Sequence, residues 1–278
     1  MHSAIVIGCG GPGCNIVSRV RDSTDLPTMT VNWTDADVEI LPPEMAENEV
    51  HGNAELAAKC LEAKRNEILL NIDGYSEIIL VTALGGGLGS AAVEFISKCA
   101  RLADSKLIAA IVIPFKFEDE RRAHTLRDAF GMEELADRIL LMDNQRFIET
   151  GGTEYVANDA LGAVEDMLKD AVVELARLLD TVPFFSTLTQ KSYSFSHDDA
   201  GSLEESVMSA ADHPMFDVDP GNGKLIICCD AAISDIEAER VCSNVTDHTG
   251  IRPEIISGTE PKGHGVTVFI PISRRSSQ

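Results

Sequence analysis

The chain has 278 residues, 44% hydrophobic and 24% charged, the profile of a globular protein with room for one large or two smaller domains. Its net charge of −22, from 45 acidic against 23 basic residues, repels nucleic acid and anionic lipid, and no apolar run is long enough to span a membrane. Binding to nucleic acid and direct membrane insertion are therefore not expected.

Met1-His2-Ser3 leads into an apolar strand at 4–8 without the basic region or cleavage site of a secretory leader. Gly8 to Gly13 then reads as a loop, Cys14 to Arg21 as a helix, and Thr28 to Asn32 as a strand. Asn53 to Leu70 is predicted helical, with Leu56, Cys60, Ala63 and Glu67 on successive turns. A strand at 77–82 precedes the glycine-rich run 85–89. A helix over 91–103 follows, with Val93, Ile96 and Ala100 on one face, then a strand from Leu107 to Ile113. A helix over 120–135 and a strand from Ile139 to Met142 close this half. Strands alternating with helices predict an α/β fold whose mostly parallel sheet is covered on both faces.

A longer helix runs from Asn158 to Leu179. Its Leu161, Val164, Leu168, Val172, Leu175 and Leu179 keep a 3–4 residue spacing for about 30 Å. Beyond it, strands at Lys191–Ser196, Lys224–Cys229, Arg252–Ser257 and Gly265–Ile272 are separated by helices Ser202–Ala211 and Asp235–Thr249. The expected division is a nucleotide-binding domain at 1–157, the long helix as connector at 158–180, and a smaller α+β domain at 181–278. Seven cysteines form no C-x-x-C pair and seven histidines show no ligand spacing, so no metal site is expected and a reducing cytoplasm suits the thiols. Cys9 and Cys14 read as small spacers. Arginine outnumbers lysine, which would suit a salt-rich cytoplasm.

Two loops carry the chemistry. Gly8, Gly10 and Gly13 satisfy the G-x-G-x-x-G dinucleotide pattern, with Asp35 and Asp37 after the second strand, which admits an NAD-dependent oxidoreductase. The second loop, Thr82-Ala83-Leu84-Gly85-Gly86-Gly87-Leu88-Gly89-Ser90, joins a strand to a helix, where backbone N–H groups and the helix dipole favour an anion. A flexible turn is the plainer reading. Two such loops on one sheet suit a triphosphate held from both sides, and G-x-x-x-x-G-K-[ST] occurs nowhere, so this is not a P-loop NTPase.

Taken together, these residues resemble the tubulin/FtsZ superfamily, over nearly the whole chain, and a divergent FtsZ-like member of archaeal or bacterial type. The glycine loop is similar to that family's G-G-G-T-G-T-G signature. Val31-Asn32-Trp33-Thr34-Asp35 resembles V-N-T-D, and Pro114-Phe115-Lys116-Phe117-Glu118 leading to Arg122 resembles P-F-x-F-E-G-x-x-R. Asp143-Asn144-Gln145-Arg146 resembles the N-D-R/K loop, and Ala157-Asn158-Asp159-Ala160-Leu161 the A-N-D-x-L helix start. The resemblance implies a Rossmann-like GTP-binding domain, with GTP or GDP as ligand and Mg2+ as its companion. By position, Gly10, Gly11 and Asn15 would meet phosphate and guanine, while Gly86, Gly87, Gly89 and Ser90 would cradle phosphates. Glu118 and Arg122 would hold the ribose, and Asn144 and Asn158 would read guanine. Two plainer readings stay open: Asn158 as a helix N-cap, and Glu118 with Arg122 as an ion pair at a helix start.

The departures matter equally. Leu88 and Ser90 stand where the family has threonines, and Ala91 replaces its last glycine. After the long helix the family carries N-x-D-x-x-D, whose acids polarise the attacking water in the next subunit's site. Here the stretch reads Thr181-Val182-Pro183-Phe184-Phe185-Ser186, and Asp180, Asp198 and Asp199 are the acids nearest in sequence. No catalytic residue is therefore assigned, and Pro183-Phe184-Phe185 reads as a packing or interface patch. The base-stacking aromatic falls at Glu154, with Tyr155 one place later. Arg274-Arg275-Ser276-Ser277-Gln278 directly follows the last strand, so the membrane-adaptor tail of the family's division proteins is not expected. The expected protein is a cytoplasmic guanine-nucleotide binder of cytoskeletal, division or shape function with weak or lost hydrolysis. It would act as a homo-oligomer or filament, or with an active FtsZ/tubulin homologue. An active self-assembling GTPase with relocated acids, the NAD enzyme, and a binding module with an empty site are the alternatives.

Overall fold

The computed structural model describes residues 3–46, 50, 52–146, 157–181, 184–198, 201–216, 225–260 and 265–272. Its strands are β1 (Ala4–Cys9), β2 (Thr28–Asn32), β3 (Val38–Glu39), β4 (Glu77–Ala83), β5 (Lys106–Ile113), β6 (Arg138–Asp143), β7 (Ser192–Asp198), β8 (Ile226–Ala231), β9 (Glu254–Glu260) and β10 (Val266–Pro271). They form one sheet in the order β3-β2-β1-β4-β5-β6-β7-β10-β8-β9. Every pairing from β3 to β7 is parallel, β10 lies antiparallel between β7 and β8, and β9 runs parallel to β8. The α/β fold with a mostly parallel sheet is thus as the sequence predicts. The sheet continues across the point where the sequence pattern changes, because β7 pairs with β6 through Leu140 and Tyr193.

The helices of eight residues or more are α1 (Gly10–Ser23), α2 (Ala54–Ala63), α3 (Arg65–Ile72), α4 (Leu88–Leu102), α5 (Asp119–Gly131), α6 (Ala157–Thr181), α7 (Leu203–Asp212) and α8 (Asp235–Thr249). Side chains alternate across a strand, so a strand covered on both faces must be apolar at every position. β4 shows this: Ile78 and Leu80 join the core beneath α2, α3 and α4, with Leu61, Ile68 and Ile96. Ile79 and Val81 join the opposite core, with Val17 of α1 and Leu168, Val172 and Leu175 of α6. All four β4 side chains are fully buried, each worth about 1.5–3 kcal/mol by removal from water.

Several boundaries differ from the sequence reading. α1 begins at Gly10 rather than Cys14, and α4 at Leu88 rather than Ala91. Gly10, Gly11 and Gly13 fall in the first turn of α1 and Gly89 in that of α4, while Gly85, Gly86 and Gly87 stay in the turn before α4. Gly10 (φ 72°) and Gly87 (φ 80°) make the sharp strand-to-helix turn in the left-handed region, which only glycine enters without strain. The single helix expected over 53–70 breaks at Lys64, whose amide donates to Leu61 in a tighter turn, and resumes as α3. β3 has only two residues, too short for a periodic signal.

In the second half, Phe269 of β10 packs against Phe184, Tyr193 and Phe195, with ring centroids 5.7, 6.2 and 6.0 Å away. Phe269→Ala is expected to cost about 3–5 kcal/mol in urea denaturation, because its buried neighbours cannot all collapse into the gap.

Candidate functional site

Parallel strands deliver their C-terminal ends to one edge of the sheet, where open α/β folds bind ligands. Both glycine turns lie there, since Cys9 and Thr82 are register partners and the Thr82 hydroxyl donates to the Cys9 carbonyl at 3.0 Å. Close approach fixes two of the glycines. A Cβ on Gly13 would lie 2.3 Å from the Val81 carbonyl oxygen, and one on Gly89 would lie 1.9 Å from that of Ala83. These two seat α1 and α4 against β4. Gly11 and Gly86 face open space instead and are exposed.

The helices that start at these turns differ from the capped helices α2, α7 and α8. Neither α1 nor α4 has a side-chain N-cap or an acidic residue in its first turn. By contrast α2 is capped by Asn53, and α7 and α8 carry capping boxes from Ser202 and Ser234. The two uncapped termini keep their amide donors and dipoles available for an anion.

A cavity of about 290 Å3 opens beside α1. Gly11, Asn15, Glu118 and Asn144 line it among the sequence-assigned residues, with Phe115, Val164, Glu165 and Leu168 completing much of the wall. It thus draws on the ends of β5 and β6 and on one face of α6. Gly10, the first residue of α1, is not part of the cavity wall. Gly86, Gly87, Gly89 and Ser90 belong to the neighbouring turn and not to the cavity wall. Asn158 lies in the first turn of α6, but its side chain is outside the described residues, as are Val182, Pro183, Glu154, Tyr155, Asp199 and residues 273–278.

Asn144 Oδ1 is buried and has no hydrogen-bond partner among the described residues. A buried acceptor left so costs about 1–3 kcal/mol, and rotation of the Asn144 amide into the cavity that it lines would let a ligand N–H restore the bond. The cavity therefore suits a ligand that carries donors at one end and an anion at the other.

Arg122 faces inward. Its guanidinium clamps Asp143 at 2.7 and 2.5 Å and also donates to the Pro114 carbonyl at 2.6 Å. Asp143 further accepts from the Gln145 amide, and Gln145 Oε1 accepts from the Lys116 amide. The segments after β5 and β6 are thereby locked together around the cavity. Arg122 is absent from the cavity wall, so its geometry gives it a bracing role where the resemblance implied ribose contact.

Leu88 is buried in the core, so the side chain that replaces a family threonine packs inward. Cys9 and Cys14 are buried too. Burial pushes the Cys14 thiol up to about 11 and that of Cys9 well above its ordinary value, which leaves both protonated and inert.

Asp143 and Glu165 escaped assignment from sequence. An ionisable residue closing the apolar strand Ile139–Met142 signals a buried partner. Glu165 stands seven residues, two helical turns, after Asn158 and hence on the same helix face.

Asp143→Asn is expected to cost about 3 kcal/mol in denaturant unfolding, because the partly buried Arg122 loses the carboxylate that it clamps. The glycines provide a paired contrast: Gly89→Ala should lower the melting temperature by several degrees, whereas Gly86→Ala should change it little.

The tubulin/FtsZ family GTPase-domain model matches residues 22–152. The cell division protein FtsZ 2 of Halobacterium salinarum is 25% identical over 289 aligned residues, covering 91% of this chain and 71% of the relative. FtsZ of Methanothermobacter thermautotrophicus is 25% identical over 286, covering 92% and 74%. The fold matches the empty FtsZ dimer of M. jannaschii at a TM-score of 0.74 and 20% identity, over 97% of this chain and 87% of that one. It matches CetZ2 of Haloferax volcanii, a GTPγS-bound protofilament, at 0.75 and 19%, over 98% and 94%. Residues 22–152 thus match the GTPase domain of the tubulin/FtsZ family, and the chain as a whole is similar to FtsZ proteins in sequence and in fold.

Proposed function

We propose that the protein binds GTP or GDP and hydrolyses GTP slowly or not at all, acting as a cytoplasmic structural or regulatory element of cell division or shape. The carrying observation is the pairing of an intact ligand edge with an altered hydrolytic segment. Two uncapped helix termini and a cavity with an orphaned buried acceptor fit a nucleotide, with phosphates at the glycine turns and the base beside Asn15 and Asn144. The glycine pattern had left an NAD enzyme open; the GTPase-domain match favours guanine nucleotide.

The segment after α6 supports the slow chemistry. Where the family resemblance leads one to look for acids, Phe184 is buried and packs edge-on against Phe185 and Phe269. A phenylalanine cannot orient or deprotonate water. Asp180 accepts both the hydroxyl and the amide of Ser3, and Asp198 accepts the Ser209 hydroxyl. Mg2+ fits this site only as a companion of the nucleotide: the described residues hold no cluster of three candidate ligands, which leaves phosphate oxygens, water and the Ser90 hydroxyl to hold it.

Self-assembly into a homo-oligomer or filament, or partnership with an active homologue, is part of this reading and is supported by the protofilament of the structural relative CetZ2. So is the division into a nucleotide-binding domain at 1–157, a connector at 158–180 and a C-terminal domain at 181–278. None of the described helices is long and apolar enough to cross a membrane.

Protein purified without added nucleotide and then denatured should release GTP or GDP. GTP or GDP at a hundredfold excess over Kd should raise stability by about 2.7 kcal/mol in thermal unfolding, with no comparable effect of NAD. Phosphate release should stay at the background rate at every protein concentration. Release that climbs with protein concentration would establish the active, self-assembling GTPase instead, and no stabilisation by either guanine nucleotide would reject the binding site.

A further inference from the structure

Asn15 lines the cavity with an amide whose orientation a neighbouring carboxylate decides. Asn15 Nδ2 donates to Glu165 Oε1 at 3.0 Å. The other oxygen of Glu165 accepts from Arg19 Nε and Nη2 at 3.2 and 3.0 Å, so the group is held as a carboxylate. A carboxylate only accepts hydrogen bonds. The nitrogen side of the Asn15 amide must therefore face Glu165, and Oδ1 must face away from it.

Asn15, Glu165 and Asn144 all line the same cavity, and the buried Oδ1 of Asn144 has no donor among the described residues. With Asn15 fixed, its Oδ1 offers a base an acceptor, and Asn144 Oδ1 becomes a second one once its amide turns into the cavity. Guanine presents N1–H and its 2-amino group side by side, hypoxanthine presents N1–H alone, and adenine presents a bare N1. Only guanine matches the wall with two adjacent donors.

We infer that Glu165 is a positioning residue for base selection, holding Asn15 so that its carbonyl oxygen is turned to the base. This rests on the nucleotide-binding reading above. Glutamine at 165 could either donate or accept, so Asn15 would be free to invert and the preference would weaken. A purely structural role for Glu165 is also possible to isolate, because Arg19 joins it to α1 and also pairs with Asp166 at 2.8 Å.

The test is calorimetric titration of nucleotide-stripped protein with GDP, IDP and ADP. Wild type should bind in the order GDP, IDP, ADP. Glu165→Gln should narrow the GDP-to-ADP preference about tenfold, the value of one well-placed hydrogen bond. Arg19→Met, which removes the helix-to-helix pair but spares the Asn15 contact, should keep the preference within about twofold of wild type. Asn15→Ala should show the narrowed preference alone, and Glu165→Gln should add nothing to it. Should Glu165→Gln fail to fold, Glu165→Asp, whose shorter arm withdraws from Asn15, is read the same way. An unchanged preference in the Glu165 variants, or an equal loss in Arg19→Met, overturns the inference while nucleotide binding stands. Failure of wild type to bind any of the three nucleotides overturns the proposed function and this inference with it.

Discussion

The parallel register of β1, β4, β5 and β6 is the constraint on which the rest depends. It brings Cys9 level with Thr82, Ala83 with Val112 and Ile113 with Asp143. Every segment with chemical potential follows one of these strand ends: the turns at Gly10 and Gly87, the Pro114 segment, and Asp143-Asn144. Residues more than a hundred positions apart thus meet at one edge. The hydrophobic effect sets this indirectly, since only strands apolar at every position can be covered by helices on both faces, and such strands pair in parallel through crossover helices.

That logic explains why so much of the fold could be read from the chain. The runs Ala4–Ile7, Ile78–Val81 and Leu107–Ile113 are continuous apolar stretches between turn signals, and each is a strand with a buried side chain on either face. Periodicity recovered α6 and α8 for the same reason: one face of each is apolar. It failed where sequence spacing carries little of the cause. The early starts of α1 and α4 come from positive-φ glycines and from the contact of Gly13 and Gly89 with strand carbonyls, which are features of tertiary approach. The break at Lys64 is a local change of hydrogen bonding inside a uniformly helical composition.

The site was readable as a set of residue types, less so as a set of roles. Asn15, Glu118 and Asn144 are where the motif order implies, around one cavity. Arg122 has the expected position, but its guanidinium takes the strongest partner within reach, the buried Asp143 carboxylate. A forked donor and a planar carboxylate satisfy each other twice over, and no feature of the linear sequence tells that pairing from a contact with ligand. Glu165 was hidden for the opposite reason. On a long amphipathic helix an acidic residue reads as a solvated face, and only the approach of α1 makes it part of a wall.

The long helix α6 joins these facts into one mechanical picture. Its 25 residues make a rod of about 37 Å. Val164, Glu165 and Leu168 near its start wall the cavity, Leu175 and Leu178 anchor its middle in the core, and its end leads to Phe184 against Phe269. Asp180 near that end is tied to Ser3, at the opposite end of β1 from the glycine turn. A ligand held beside Asn15 and Glu165 would therefore touch an element fastened to one face of the sheet from Val164 to Leu178. Moving the cavity wall of α6 as a rigid rod would require the aromatic packing of the second half to move with it. The wall can remain fixed only if α6 bends or the adjustment is confined to α1, the side from which Asn15 reaches it.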